Sequence, residues 1–478
     1  MDSSGTVSNV VLLTVDSLRA DAVGAYDERR LTPIMDSIAD NGAVFERAFA
    51  TGNWTPFSFP AMLSSRPVFA DTGGIGITEE RALASVLSEA GISTAGFNAA
   101  NGFLTSHWGY DAGFDEFEPF VASVGSSIYS RYLATHPTVE AWVQFATSPL
   151  RRAGAWLRGN TDDRPFLDTS RMFDVEHAAT SFLETADSPF FLWVHYMDAH
   201  TPYVPAPRYI REVSSNFFGT HRMLHAHLRT GLGWEVDDRT LDELRTPYAA
   251  AVRQVDASIG RLRETLEANG LAEDTAIILA GDHGEEFQDH GHLAHYPKLY
   301  DELIRVPFII DIPGAAPRCV DPQVSLASIP ATVAELLGVD PHPDWTGDSL
   351  VSVATTDDEP VDEPVVSVTV RGEEVTSQPI PRSLSDGDLL VSVRDRDWIY
   401  IENVETDERE LYYRPSDPGQ QTDLSADPTG EQQAVIDRFS QRVEEHVATI
   451  VTGEDADEPT AGTVDEDLDA RLEALGYK

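Results

Sequence analysis

An aspartate and a histidine stand side by side at Asp282 and His283, directly after the apolar run AIILAG at residues 276–281. Such a run predicts a buried parallel strand, and open α/β sheets bind their ligands at the carboxyl ends of their strands. A hard carboxylate oxygen next to an imidazole suits a divalent ion of the Zn or Mn type, while Gly284 lets another stretch of backbone come close. The beginning of the chain repeats this design: an apolar strand over residues 10–15 ends in Asp16. A strand-end aspartate also serves as a helix cap, but with Asp282 and His283 read as one half of a metal site, Asp16 is expected to supply the other half. A third group follows in TGNWTPFSFPAMLSSR, where Thr55 precedes a short apolar helix. The amino end of a helix gathers backbone N–H groups suited to an anion, so a hydroxyl there is placed as a nucleophile facing phosphate or sulfate.

The elements that must position these groups alternate between strand and helix. TPIMDSIADNG, residues 32–42, opens with Thr-Pro, carries apolar residues at helical spacing and stops at Gly42; VFERAFA follows as a strand. FFLWVHY reads as a core strand, and the run from Thr246 to Gly270 as a long amphipathic helix leading into the strand before Asp282. VPFIIDIPG is a further strand and VSLASIPATVAELLG a helix. Near residue 350 the pattern changes. VVSVTV, LLVSVRD and DWIYIEN predict a small antiparallel sheet covered by the helix EQQAVIDRFSQRVEEHVATI. Residues 453–469 carry eight carboxylates and no basic group, which reads as a solvated linker before a terminal helix.

Composition sets limits on function. The 80 acidic against 34 basic residues give a formal net charge of -46, which repels nucleic acid and anionic membrane surfaces. Only Lys298 and Lys478 are lysines, a surface chemistry of the kind used at high salt; a halophilic cytoplasm is the expected setting. The single cysteine, Cys319, excludes an internal disulfide and is expected as a small core residue. No secretory segment opens the chain, and no run reaches the roughly 20 apolar residues that span a bilayer, so a cytoplasmic protein is expected.

VDSLRADAVGAY, TPFSFPAMLSSR, HYMDAHTPY, GDHGEEF and KLYDELIRVPFIIDIPG occur in this order between residues 15 and 314. Together they resemble the sulfatase-like branch of the alkaline phosphatase superfamily. WIYIENVETDERELYYRPSDPGQQTDLSADP is similar to the carboxy-terminal sheet of sulfatases and ARLEALGYK to their final helix, so the likeness extends over nearly the whole chain. The resemblance implies an α/β fold: an alkaline phosphatase-like three-layer α/β/α core around a mostly parallel sheet, with a helical insertion and a small C-terminal α+β subdomain. It places a catalytic domain at residues 1–350 with the insertion or lid at 103–188, the subdomain at 351–452, and the acidic linker and terminal helix at 453–478.

The resemblance further implies that Asp16, Asp282 and His283 hold one divalent ion (Mn, Zn, Ca or Mg), that Thr55 is the nucleophile whose oxygen also touches it, and that His200 faces the ester. Asp198, His200, His290, His292 and His295 form two clusters that would have to close any second metal site; one metal is expected, with His290 and His295 on a substrate-facing loop and Lys298 as a further substrate contact. Ordinary sulfatases carry Cys-x-Pro-x-Arg, whose Cys or Ser becomes formylglycine. Here Thr55 and Phe59 replace the Cys and the Arg, so no formylglycine is expected. A threonine suits phosphoryl transfer, because metal coordination lowers a hydroxyl pKa. The expectation is a hydrolase of phosphate, phosphonate or sulfate esters acting on a small molecule or glycan. The alternatives are a phosphoglycerol- or phosphoethanolamine-type transferase, and a non-catalytic protein holding an acidic glycan on the face carrying Arg131, Arg151, Arg152 and Arg158.

Overall fold

The computed structural model describes residues 7–71, 73–121, 170–214, 236–295, 297–356, 362–372 and 381–451, with isolated positions at 146–168, 222 and 225. The middle of the expected insertion with its four arginines, and all of the acidic linker and terminal helix, lie outside the described residues.

Eight strands make the central sheet: β1 (Asn9–Val15), β2 (Ala43–Phe45), β3 (Ser93–Asn98), β4 (Glu116–Glu118), β5 (Phe190–Tyr196), β6 (Thr275–Gly281), β7 (Phe308–Asp311) and β8 (Arg318–Val320). Their spatial order is β8-β2-β7-β6-β1-β5-β3-β4, and β7 alone runs against its neighbours. Both faces of the sheet are covered. Along β1, Val10 and Leu12 join one apolar cluster while Val11, Leu13 and Val15 join the other, which is why the strand reads as continuously hydrophobic. One cluster is completed by α2 (Thr55–Ser64), α3 (Leu83–Glu89) and α6 (Ile329–Leu336). The other is completed by α1 (Pro33–Ala39), α4 (Met172–Thr185) and α5 (Asp238–Ala268). This is the three-layer α/β/α core of the alkaline phosphatase-like fold.

Local chemistry moves several expected boundaries. Helix α5 starts eight residues before the Thr-Pro pair, because Asp237 caps it by accepting from Thr240 N at 2.8 Å, and Pro247 is carried inside. VFERAFA is two strands rather than one: Ala43–Phe45 joins the central sheet, and Ala48–Phe49 joins a separate three-stranded sheet. Cys319 is exposed on the edge strand β8, with its Sγ 3.1 Å from Glu46 Oε1, and is not a core residue. The expected insertion already contributes β4 to the sheet edge and α4 to the core. No helix among the described residues is long and apolar enough to cross a membrane.

The C-terminal subdomain is an antiparallel sheet of β9 (Val365–Arg371), β10 (Asp388–Arg394), β11 (Trp398–Asn403) and β12 (Arg409–Tyr413), packed under α7 (Gly430–Val451). Val391, Tyr400, Leu411 and Phe439 form its core together with Trp54 and Phe57 from the start of α2, so this sheet backs the helix that carries Thr55. A second tie is ionic. Asp301 lies 3.5 Å from the fully buried Arg394 and 3.3 Å from Arg414, both stacked near Phe49. Removing the carboxylate leaves a buried guanidinium without a counter-charge, so D301A is expected to lower the unfolding free energy by about 3 kcal/mol in chemical denaturation; an unchanged midpoint would contradict this.

Candidate active site

Strands β1, β5 and β6 end level with one another: Val15 pairs with Tyr196 on one side and Gly281 on the other. Asp16 and Asp282 therefore leave the sheet at the same height, Asp16 N donating to Tyr196 O at 2.8 Å and Asp282 N to Val15 O at 3.3 Å. The chain turns sharply at Ser17, whose φ of 58° is the left-handed region that a residue with a Cβ seldom adopts. That turn aims Ser17 N at Asp282 Oδ1, 3.2 Å away, while Tyr248 holds the Ser17 carbonyl at 2.9 Å. Beyond Asp282, a Cβ on Gly284 would meet the Glu302 carbonyl at 2.0 Å, so this position needs glycine for the close approach.

Helix α2 delivers Thr55 as its first residue, and every residue from Thr55 to Ser64 is buried. Its Oγ1 lies 3.2 Å from Asp16 Oδ2 and 3.0 Å from Asp282 Oδ2. One hydroxyl proton thus faces two carboxylates. Asn101, which sequence reasoning missed, donates from Nδ2 to Asp16 Oδ2 at 3.0 Å and approaches Thr55 Oγ1 at 3.4 Å. It sits in the turn after β3, where Asn98 Oδ1 accepts from Asn101 N at 3.1 Å. The available signal was its place just past the carboxyl end of a core strand in FNAANGF. Phe59, at the position of the absent arginine, packs edge-on against His195 at 5.0 Å and beside Trp193 at 5.5 Å.

Two imidazoles border the carboxylates. Among the described residues, Asp16, His195 and Asp282 converge with donor atoms within 4.8 Å of one another. His283 is also close, its Nε2 being 3.4 Å from Asp16 Oδ1 and 3.8 Å from Asp282 Oδ2. The tautomer of His283 follows from its other nitrogen: Nδ1 is 2.8 Å from the Gly284 carbonyl, which only accepts, so in the neutral ring Nδ1 carries the proton. The Nε2 lone pair then faces two carboxylates. That arrangement is repulsive without a cation between the groups, and the donor set fits a divalent ion.

Burial tends to raise both carboxyl groups, but they separate. For Asp16 the nearby His200, His195 and His283 outweigh burial and hold it well below the usual carboxylate range. Asp282 is pushed well above that range by burial and then by the charge of Asp16.

His200 and His295 are brought to the same place. Their rings lie 4.8 Å apart, and that of His295 is 5.3 Å from His283. His200 Nδ1 is 2.5 Å from the Thr201 carbonyl, so it too carries its proton on Nδ1, and burial pushes its pKa down to about 4. His295 Nδ1 lies 3.4 Å from Glu285 Oε2, and burial lowers its pKa to about 3.

His290 is not in this group. Its Nδ1 is 2.5 Å from Glu302 and its ring stacks on Tyr300 at 3.7 Å, while its Nε2, 3.0 Å from the Gln420 carbonyl, ties the loop to the C-terminal subdomain. Lys298 goes with it, Nζ reaching the His290 carbonyl at 3.4 Å and lying 5.0 Å from the centre of the Tyr300 ring.

Asp198 is engaged elsewhere, accepting from Gln254 Nε2 at 2.7 Å. Burial, and then the charge of Asp168, push its carboxyl up to about 7. A carboxyl that binds its proton more tightly in the folded state adds stability below about pH 4 and loses it as pH rises through about 7. D198N is therefore expected to flatten the fall in unfolding free energy between pH 4 and 7.5; a slope equal to that of the wild type would contradict the assignment.

The chain has relatives in sequence and in fold. An ulvan-active sulfatase of Formosa agariphila is 25% identical over 331 residues, covering 65% of this chain and 57% of that protein. A multifunctional alkaline phosphatase superfamily protein, PehA of Trinickia caryophylli, is 30% identical over 185 residues, 34% of this chain and 35% of that one. The chain thus spans a little over half of the first of these relatives and about a third of the second. The phosphonate monoester hydrolase of Agrobacterium radiobacter superposes with a TM-score of 0.68 at 20% identity, covering 93% of this chain and 96% of that one. The sulfatase family profile matches residues 8–339, the stretch that holds every site residue named above, and on that match the chain belongs to the sulfatase family.

Proposed function

We propose that this protein hydrolyses monoanionic phosphorus esters, phosphate diesters and phosphonate monoesters, with Thr55 as nucleophile and one divalent cation held by Asp16, Asp282, His283 and the Thr55 oxygen. The observation that carries this reading is the buried Thr55 hydroxyl, 3.2 and 3.0 Å from two carboxylates that have a histidine lone pair beside them. A divalent cation in that place supplies Lewis-acid charge, which lowers the pKa of a nearby hydroxyl and offsets the two aspartates.

The substrate class follows from charge. Among the described residues, the side chains that touch Thr55, Asp16 and Asp282 are Asn101, Ser17, His195 and His283, none of which brings a fixed positive charge, and Phe59 fills the place of the family arginine. Such a site suits an ester with one negative charge better than a phosphate monoester dianion. In the first step Thr55 passes its proton to one of the two carboxylates it faces and its oxygen attacks phosphorus in line; the bond from phosphorus to the leaving oxygen breaks and that group departs as an alkoxide that takes a proton from water, with Asn101 Nδ2 donating beside the attacking oxygen. In the second, water attacks phospho-Thr55 at phosphorus, the bond from phosphorus to the Thr55 oxygen breaks, and that oxygen takes its proton back from the carboxylate. His200, neutral and with Nε2 unprotonated, is the base that takes a proton from that water.

Sulfate esters are the second reading, and family membership favours them. They are monoanions too. Oxidation of a threonine side chain gives a ketone and not the aldehyde used by formylglycine enzymes, and a sulfo-threonine is harder to resolve by water, so they rank second.

The test is a panel of nitrophenyl phosphate monoester, diester, phosphonate and sulfate with Mn, Zn, Mg or Ca at molar KCl. Turnover is expected to be fastest on the diester or phosphonate, to vanish with chelator, and to fall by a factor on the order of 10³ or more in T55A with folding retained. Undiminished turnover in T55A would remove the mechanism.

A further inference from the structure

His195 sits at the metal-type cluster, yet the steps above leave it unused. It is fully buried, as are Thr14 and Trp193, and the sheet register sets Thr14 opposite His195 across the β1–β5 pair. Trp193 Nε1 donates to Thr14 Oγ1 at 2.9 Å. An indole nitrogen can only donate, so the Thr14 oxygen accepts there and keeps its own proton to give. Two acceptors are within reach, His195 Nδ1 at 3.0 Å and the Val194 carbonyl at 3.4 Å. The shorter contact, together with the Asp16 carboxylate that faces Nε2, favours Nδ1 as the acceptor and the ring proton on Nε2. That atom has no hydrogen-bond partner and points at Asp16 Oδ2, 3.7 Å away, while the edge contact with Phe59 fixes the ring plane.

His195 and His283 are thus set in opposite tautomers by their neighbours. His283 gives its proton to a carbonyl and offers a lone pair to the carboxylates; His195 receives a proton from Thr14 and offers an N–H. We infer that Trp193, Thr14 and His195 form a buried positioning relay that turns an N–H dipole toward Asp16 Oδ2, supporting the carboxylate as an anion and holding its oxygen toward Thr55 while His195 itself stays off the cation. This rests on the one-cation reading above. The role is worth having because Asp16 Oδ2 faces Thr55 and Asn101 while Oδ1 faces His283 and Ser17, so a rotation of the carboxylate would scramble both sets of contacts. Groups behind a metal ligand usually change metal affinity by about 10- to 100-fold when removed.

The test is titration of the whole protein with Mn²⁺ alone, free Mn²⁺ being counted by electron paramagnetic resonance, in the wild type and in H195L, H195Q and T14V, together with visible spectra of the Co²⁺-loaded forms. One Mn²⁺ per chain is expected in all four. The affinity should fall by about 10- to 100-fold in H195L, fall less in T14V, and return to within about threefold of wild type in H195Q, whose amide nitrogen stands in for Nε2. The Co²⁺ bands should be unchanged in H195Q and altered in H283Q. Wild-type affinity in T14V and in H195L overturns the relay and leaves the cation reading standing; should H195L not fold, T14V decides alone. Co²⁺ bands altered equally in H195Q and H283Q overturn it by making His195 a ligand. Wild-type protein that binds no Mn²⁺ overturns the relay together with the cation reading beneath it.

Discussion

Two carboxylates, both removed from water and sharing the proton of one hydroxyl, set the constraint on which the rest of this structure depends. Burying an ionised carboxylate costs several kcal/mol unless charge or hydrogen bonds offset it, and Asp16 and Asp282 have few donors: two backbone N–H groups, Ser17, Thr55 and Asn101. The opposing pKa directions express the shortage, since Asp16 stays anionic at the expense of Asp282. A His283 lone pair turned toward the same oxygens sharpens it. The one divalent cation proposed above would resolve all three at once.

The fold supplies the geometry by parallel strands of matched length. Because β1 and β6 pair from Asn9 and Thr275 through to Val15 and Gly281, the two aspartates emerge together, and the left-handed turn at Ser17 closes the gap between them. Helix α2 arrives from the other side, clamped between the central sheet and the C-terminal sheet. Trp54, immediately before Thr55, packs into the C-terminal core and donates from Nε1 to the His295 carbonyl at 2.6 Å. The subdomain therefore bears on the position of Thr55 as well as on overall stability.

The strand tips were legible because a run buried on both faces is apolar throughout and ends abruptly in a charge; Asp16, Asp282 and His283 stand out for that reason. Thr55 was legible from the Thr-Pro start of an apolar helix. The strands of the C-terminal sheet showed themselves by alternation. Asn101 and His195 were not legible. One is an asparagine in a turn that contains another, and the other lies inside FFLWVHY, where a histidine in an apolar strand looks like core until the register sets it opposite Thr14. The place of His290 apart from the cluster was hidden for a related reason: HGHLAH gives no sign of which ring will stack on Tyr300 and meet the Gln420 carbonyl, a contact from a subdomain remote in sequence. The start of α5 was obscured because Thr-Pro at residues 246–247 imitates a helix start that the Asp237 cap overrides. Long-range pairing, in each case, settled what local pattern left open.

The most direct measurement is anomalous diffraction from crystals grown with Mn²⁺. A single anomalous peak bounded by Asp16 Oδ, Asp282 Oδ, His283 Nε2 and Thr55 Oγ1 is the expected result. A site without such a peak at saturating Mn²⁺, or a peak whose ligands exclude Thr55, would contradict the convergence of these four side chains on one cation.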